Sequence, residues 1–581
     1  MNTLPLAAGL VMGMVASGCI GKVGSSSTGT AGSGSSVTGV GGAAGASGGA
    51  GASAGGGGSS STTAYIPARV RRLTNAEYDA SVQTLLGTTM APSVTMSFPP
   101  DARQGPANSP AGAAFTLNDG QRVDPVLADK LDAAAQALVF EARANGKLAA
   151  LSPCANPAGA GGEACAKTFV QAFGAKAYRR PLTTDEIAGL VSSSATSVYH
   201  VGADGYAYTD GIDLLTRVLL QSAGFLYLTE LGDAAAASPV TLNANEIAAS
   251  LSYLLTSGPP DDTLAGNASS GMLATADGRE SEARRLIASP AGRARFVRVV
   301  REWLGIENVA HREKATSVYP DFAGVASSME DESRAFIDEV LNNSTGTLAE
   351  LLTADWTIVD GPLAAVYGVT SAGAGKRTSL STVKRRGILN QGAFLSVFAN
   401  NNSSHPVFRG VAIMRRIACL NLPDPGALGI VVSFPASDTT KTTRARFEAH
   451  AADPMCASCH DTIDELGFTF ENFDGMGKTR TTENNLSVDT KVTLSAGSEI
   501  DGTYADSNAL AAALAQSPSV KACLARQIFH SAAGRSDSTV AAAESAFVDI
   551  WKQLPAAQQG RLADVLVAYI RSPLFVQRSA P

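Results

Sequence analysis

Cys456-Ala457-Ser458-Cys459-His460 sets two thiols and an imidazole within one short stretch. Two intervening residues put both sulfurs on the same edge of a porphyrin, where they can add across its vinyl groups. The next residue then turns its ring toward the iron. The spacing therefore predicts covalent haem c, anchored by Cys456 and Cys459, with His460 as proximal ligand. The same residues allow a CxxC disulfide or dithiol beside an incidental histidine. A zinc site would need further ligands, and the chain has no second CxxC and no HxxxH. Several groups compete for the distal iron position. Met476 lies in Phe473-Asp474-Gly475-Met476-Gly477, a glycine-flanked loop able to carry a thioether to iron, and a Met/His pair suits electron transfer. His450 precedes the motif, and Met455 is too close to Cys456 to fold back over the ring. His405 and His530 depend on the fold to bring them near, and an open or water-bound position completes the set.

Attachment of this kind needs an exported chain. Leu4 to Val15 is apolar, too short to span a bilayer and the right size for a signal-peptide core. It runs into Ala16-Ser17-Gly18-Cys19, which resembles a bacterial lipobox, although Met1-Asn2-Thr3 lacks the usual Lys or Arg. The expectation is a lipoprotein lipidated on Cys19, facing the periplasm or cell surface, with the outer membrane favoured. A plainly cleaved signal peptide and a buried apolar segment are the alternatives. Several acyl chains on one cysteine give stable anchoring, because a single chain holds only marginally. From Val23 to about Thr63 the residues are almost all Gly, Ser, Ala and Thr. With nothing to bury, such a segment should be a disordered linker, and about 40 residues of it span roughly 35 Å.

Seven cysteines in an exported chain invite an account of each. Cys19 goes to lipid, and Cys456 and Cys459 to the CxxCH. Cys154 and Cys165 bracket an Ala/Gly/Pro-rich loop that a disulfide closes easily; about 12 residues closed this way are worth roughly 3 kcal/mol in the chain-entropy model. Cys419 and Cys523 remain, and pairing them ties the segment before the CxxCH to the segment after it. One lipid, two bridges and one haem use all seven.

The elements that must position these groups read as helices. Thr74-x-x-Glu77, Thr183-x-x-Glu186 and Asn243-x-x-Glu246 are capping boxes, each opening an apolar helical pattern. Further helices are predicted over Val123–Arg143, Gly211–Gln221, Glu280–Leu304, Glu330–Leu341 and Ala541–Tyr569. Strand-like alternation is scarce, so the fold class is mainly α: a multidomain helical body with a cytochrome-c-like C-terminal region. The chain has 581 residues, 45% of them hydrophobic, and a net charge of −7. That length exceeds one core, and the mild acidity argues against a general nucleic-acid binder. No apolar run after the N-terminus is long enough to cross a membrane. The Pro/Gly-rich stretch Met96–Asn118 and loops near Ser269, Ala372 and Pro423–Thr440 mark joints. The expected division is a signal peptide over 1–18, lipidated cysteine and linker over 19–64, and helical domains over 65–150, 151–235 and 236–375. A CxxCH-containing domain over 376–485 and a C-terminal helical domain over 486–581 complete it.

Several stretches resemble a known family when taken in order. They are Arg72-Leu73-Thr74-x-x-Glu77-Tyr78 with Leu85-Leu86-Gly87, Tyr178-Arg179-Arg180-Pro181-Leu182-Thr183, and Ser252-Tyr253-Leu254 with Pro259-Pro260-Asp261. Arg386-Gly387-Ile388-Leu389, Pro406-x-x-Arg409-Gly410, and the CxxCH with Ile463-Asp464 and Gly467-Phe468 continue the series. The chain is similar, from about Arg69 onward, to the large secreted set common in planctomycetes and myxobacteria. That set is built from consecutive domains of unknown function, often associated with cytochrome-c-like modules. The resemblance implies export and such a module, and no settled activity. It also places a histidine at the position of His450 and no invariant methionine at that of Met476.

Other candidates have plainer readings. Asp461, Asp464, Glu465, Glu471 and Asp474 form an acidic stretch, either a docking face for a basic redox partner, a carboxylate acid/base site or, as favoured for charged residues, a solvated helix and loop. Arg179-Arg180 reads as an ion-pair or packing element ahead of a helix, in preference to an anion site. Trp303 and Trp356 read as core, in preference to carbohydrate-stacking residues. No GxSxG, HExxH or P-loop supports hydrolase or nucleotide chemistry. The leading expectation is a tethered mono-haem c-type protein for electron transfer or redox chemistry outside the cytoplasm. Its rivals are a non-catalytic surface lipoprotein that binds polymer or protein partners, with the CxxC as a disulfide, and a haem peroxidase or oxygenase.

Overall fold

The computed structural model describes residues 65–103, 115–118, 120–155, 160–192, 196–199, 207–232, 238–420, 422, 435–450, 454–535 and 537–579. The expected signal peptide, Cys19 and the Gly/Ser/Ala linker lie outside them, as do 423–434 of the expected joint.

Local rules account for the helix ends. At Thr74, Thr183 and Asn243 the cap side chain accepts the backbone N–H three residues on, while Glu77, Glu186 and Glu246 reach back to the cap N–H. Gly87, at φ 61°, stops the first helix in the left-handed conformation that suits glycine. The body is mainly α, with strands only as two-stranded ladders. The helix expected over Glu280–Leu304 is two, Ala276–Ala288 and Pro290–Leu304. Ser289 is extended and caps Gly292, and Pro290 has no N–H to continue the first ladder. The expected Ala541–Tyr569 helix is likewise split into Asp537–Lys552, Ala556–Gln559 and Leu562–Arg571, around Pro555 and Gly560.

Two apolar cores hold Thr62–Pro581 as one compact unit. The smaller gathers Leu73, Tyr78, Leu138, Phe169, Leu219 and Phe225. The larger runs from Ile66 through Leu251, Trp303, Phe336, Phe394 and Phe468 to Phe575, so the CxxCH-bearing segment shares its core with elements on both sides. The ends of the body are stitched together. Arg69–Arg72 pairs antiparallel with Tyr227–Glu230, Arg69 opposite Glu230, and Gln577–Arg578 pairs antiparallel with Val240–Thr241. Pro67 bridges to Ser579 alongside. At this junction Glu230 is 4% exposed and meets Arg578 at 2.8 Å, Arg69 at 3.1 Å and Arg71 at 3.8 Å. Burial alone would raise its carboxyl, but the three guanidiniums outweigh burial and hold it well below the usual carboxylate range. Disulfides join Cys154 to Cys165 and Cys419 to Cys523. Among the described residues no helix is long and apolar enough to cross a membrane.

A second buried carboxyl behaves in the opposite way. Glu332, on the Phe322–Asn343 helix, is 1% exposed and accepts hydrogen bonds from Thr357 Oγ1 at 2.7 Å and Tyr367 Oη at 2.6 Å. Burial outweighs these bonds and pushes its carboxyl up from 4.5 to about 7. The folded chain therefore keeps a proton that the unfolded chain releases. The stability this supplies is complete below about pH 4.5 and is lost as pH rises through about 7. Unfolding free energy should fall by about 3 kcal/mol across that window on account of this group. Glu332→Gln should flatten the dependence in urea titrations at successive pH values; an unchanged slope would refute it.

Candidate binding cleft

The CxxCH opens the Pro454–Phe468 helix, whose apolar side seats against the Pro406–Ala412 helix. Glycines let the two backbones touch. A Cβ on Gly410 would stand 1.9 Å from the Ile463 carbonyl oxygen, and one on Gly467 would stand 2.0 Å from that of Pro406. His460, Ile463, Asp464 and Gly467 fall on one side of their helix by its period. His460 Nδ1 lies 2.9 Å from Asp464 Oδ1, and that hydrogen bond holds the imidazole above its ordinary range, toward the charged form. Cys456 and Cys459 are half-buried and stand outside both disulfides.

The candidate distal groups are committed elsewhere. His405 is fully buried, stacked on Phe408 at 3.6 Å between ring centroids, with Phe447 edge-on at 5.2 Å. Its Nδ1 accepts the Phe408 N–H at 3.2 Å, and burial beside Arg409 pushes its pKa down to about 3. His530 meets Glu544 at 2.8 Å. Met476 is 3% exposed, packed into the larger core within a turn built on Asp474. The side chain of His450 lies outside the described residues.

These placements correct the haem expectation. Among the described residues no group of three or more His, Cys, Asp or Glu side chains converges as metal ligands must. The bridged cysteines form ordinary disulfides, 11 residues apart for Cys154–Cys165 and 104 for Cys419–Cys523. Met476 and His405 sit in packed apolar surroundings. Covalent haem c on Cys456 and Cys459, with His460 as iron ligand and Met476 opposite it, does not fit this arrangement, and the alternative distal ligand, His450, lies outside the described residues. Electron transfer and the haem peroxidase or oxygenase readings fall with the cofactor. The CxxC is not a disulfide here either. The acidic stretch after His460 also departs from a solvated surface. Asp464 and Glu471 are 3% and 1% exposed, and Glu471 is met by Arg480 at 2.8 Å, Ser404 at 2.9 Å and Arg409 at 3.7 Å.

Arg179 and Arg180 do structural work. Arg179 donates to the carbonyls of Gly224, Phe225 and Tyr227, and Arg180 grips Glu186 at 2.7 Å. Trp303 is core, its indole N–H donating to the Arg416 carbonyl at 2.6 Å. Trp356 is half-buried, with Arg377 stacked 4.2 Å over its ring.

A charge-rich concave feature lies on the Pro290–Leu304 helix. A cleft of about 900 Å³ opens between that helix, Ala80 and Gln83 of the first helix, Thr256 and Ser257, and Asp331, Arg334, Ala335 and Asp338. Five guanidiniums line it: Arg293, Arg295, Arg298, Arg301 and Arg334. They differ in how far carboxylates neutralise them. Arg293 is clamped by Asp338 at 3.0 Å, and Arg334 by Glu330 at 2.9 Å and Asp331 at 3.2 Å. Arg301 has Glu330 at 3.6 Å, and Arg295 has Glu302 at 4.0 Å. Arg298 donates to the Ser257 hydroxyl and, among the described residues, makes no ion pair. Burial first, and then Arg295, depresses the Arg298 pKa to about 10. Arg301 is lowered by burial and by Arg334. Unneutralised guanidiniums crowded in a cleft are repelled by one another and poorly hydrated, so an entering anion relieves both penalties. The sequence signal was present in Arg295, Arg298 and Arg301, spaced three apart and followed by a single acid, Glu302. Composition pointed to acidity, which hid this local basic face.

Four family models match the chain, each described as a protein of unknown function. DUF1587 (PSD3) covers residues 71–144, and DUF1595 (PSD5) covers 165–230. DUF1592 (PSD4) covers 242–369, and DUF1588 (PSCyt3) covers 385–483. The cleft draws on the first and third of these segments, and the CxxCH lies in the last. No curated protein and no solved structure matches the chain.

Proposed function

Because this chain belongs to the exported multidomain family of planctomycetes and myxobacteria that these consecutive modules define, we propose that it is a non-catalytic surface lipoprotein that binds a polymer or protein partner. The body carries the binding, Cys19 carries the acyl chains, and residues 23–63 form the leash. The observation that carries the reading is the open arginine-lined cleft, in which Arg298 makes no ion pair among the described residues while Arg293 and Arg334 are clamped. Clefts of roughly 300–1,000 Å³ with a few convergent polar groups are the usual form of a ligand site. A leash of about 40 Gly/Ser-rich residues lets such a body sweep roughly 35 Å from its anchor. That reach suits capture better than a fixed docking geometry.

Two measurements test the reading. Wild-type protein should partition into detergent, and Cys19→Ser should move it to the aqueous phase or block processing. Equal aqueous partitioning of both forms overturns the anchor. In native gels cast with soluble polymers, the body should be retarded by at least one class. Free migration through neutral glycans, acidic glycans and nucleic acid alike overturns polymer binding.

A further inference from the structure

The geometry points to a carboxylated glycan, a uronate-type polysaccharide, as the occupant of the cleft, with Arg298 and Arg295 reading its carboxylates. This inference rests on the binding role proposed above and names the ligand class. Guanidinium is planar and offers parallel N–H donors that match a carboxylate edge in bidentate fashion. Arg298 and Arg295 follow each other at one helical turn's spacing and line the same wall. Arg298 spends a donor on the Ser257 hydroxyl, which fixes its direction, and Glu302 and Glu77 act on its charge without forming an ion pair with it among the described residues. Arg295 Nε is buried without a hydrogen-bond partner. The cleft's far end is the N-terminus of the Pro290–Leu304 helix, lined by Pro290 and Ala291, where helix dipoles favour negative charge.

The opposite wall selects among anions. Asp331 and Asp338 line it, Asp331 with three-quarters of its side chain exposed. Asp331 is ion-paired with Arg334 and Asp338 with Arg293, so what these carboxylates offer a ligand is their remaining lone pairs. They accept hydrogen bonds from sugar hydroxyls. Gln83, Thr256 and Ser257 add neutral polar partners. A ligand alternating carboxylates with hydroxyls satisfies both walls. A lone phosphate or sulfate would leave most of about 900 Å³ unfilled.

The test uses affinity electrophoresis and titration of the full chain with polygalacturonate, its fully methyl-esterified form, dextran, polyphosphate and duplex DNA. Polygalacturonate should bind wild-type protein, weaken as salt is raised, and lose at least tenfold in affinity with Arg298→Gln. Arg295→Gln should lose less, because Glu302 already offsets part of its charge. The esterified polymer keeps the shape and hydroxyls but removes the charge, and should bind at least tenfold more weakly to unaltered protein. That arm needs no variant to fold. Equal binding of acid and ester, or full affinity in Arg298→Gln, overturns the inference. Preference for dextran would leave the polymer-binding role standing and refute the carboxylate reading. Preference for polyphosphate or DNA would refute the glycan. Retention of none of the five would overturn both this inference and polymer binding.

Discussion

Glu230→Gln is expected to cost about 3–5 kcal/mol of unfolding free energy, the range for breaking a buried ion pair from one side. The size follows from what remains. Arg69, Arg71 and Arg578 are each 9% exposed or less, and all three lose their shared carboxylate at once. The same residue ties the first strand of the body to the last, so the loss should appear first as separation of the chain ends. Limited proteolysis should cleave near Gln577–Arg578 well before the rest of the body yields. The pH dependence has a definite sign. The folded carboxyl sits below its ordinary 4.5, so its contribution is present above that pH and drains away as pH falls toward the folded value. Glu230→Gln should remove this acid-side slope while leaving the opposite, Glu332-linked slope on the neutral side. Stability within about 0.5 kcal/mol of wild type, the usual range for a surface change, would show that the cluster does not hold the ends.

Removing the Cys419–Cys523 bridge should cost a similar amount. The two cysteines are 104 residues apart in sequence, and in the chain-entropy model a loop of about 100 residues is worth roughly 4.7 kcal/mol. Cys154 and Cys165 are 11 apart, and their loop is worth about 3 kcal/mol. Paired alanine replacements at each bridge, compared by urea denaturation of export-matured protein, should therefore rank Cys419/Cys523 as the more damaging. Cys523 is 1% exposed in the Pro518–Ala533 helix, so part of the loss will be packing. Serine and alanine replacements separate that part. Non-reducing peptide maps should recover both cross-links, with Cys456 and Cys459 in neither. A peptide joining Cys523 to any residue but Cys419 would refute the arrangement.

Where the deciding forces act within a few residues, they are legible along the chain. Thr74, Thr183 and Asn243 cap helices because a hydroxyl or amide three residues from a glutamate satisfies backbone groups on the spot, whatever surrounds them. Pro290 and Pro555 divide helices for an equally local reason, the missing N–H, and there the period of apolar residues misled because it runs across the break. The mainly helical class follows from many such local preferences in agreement. Charge state and accessibility follow no such rule, since both depend on groups brought from far away. Asp464 and Glu471 are polar letters in a polar stretch, yet Arg409, Arg480 and the Pro406–Ala412 helix enclose them. Cys456 to His460 carry every atom that haem attachment requires, but the fold buries Met476 in the core, stacks His405 on Phe408 and, among the described residues, brings no ligand cluster together. Arg298 looks no different along the chain from Arg293. Only the tertiary structure gives Arg293 the carboxylate of Asp338, from a helix more than 40 residues away, and leaves Arg298 with a hydroxyl. Local hydrogen bonding selects the elements; long-range packing decides which charges are neutralised, and so where the chain can bind.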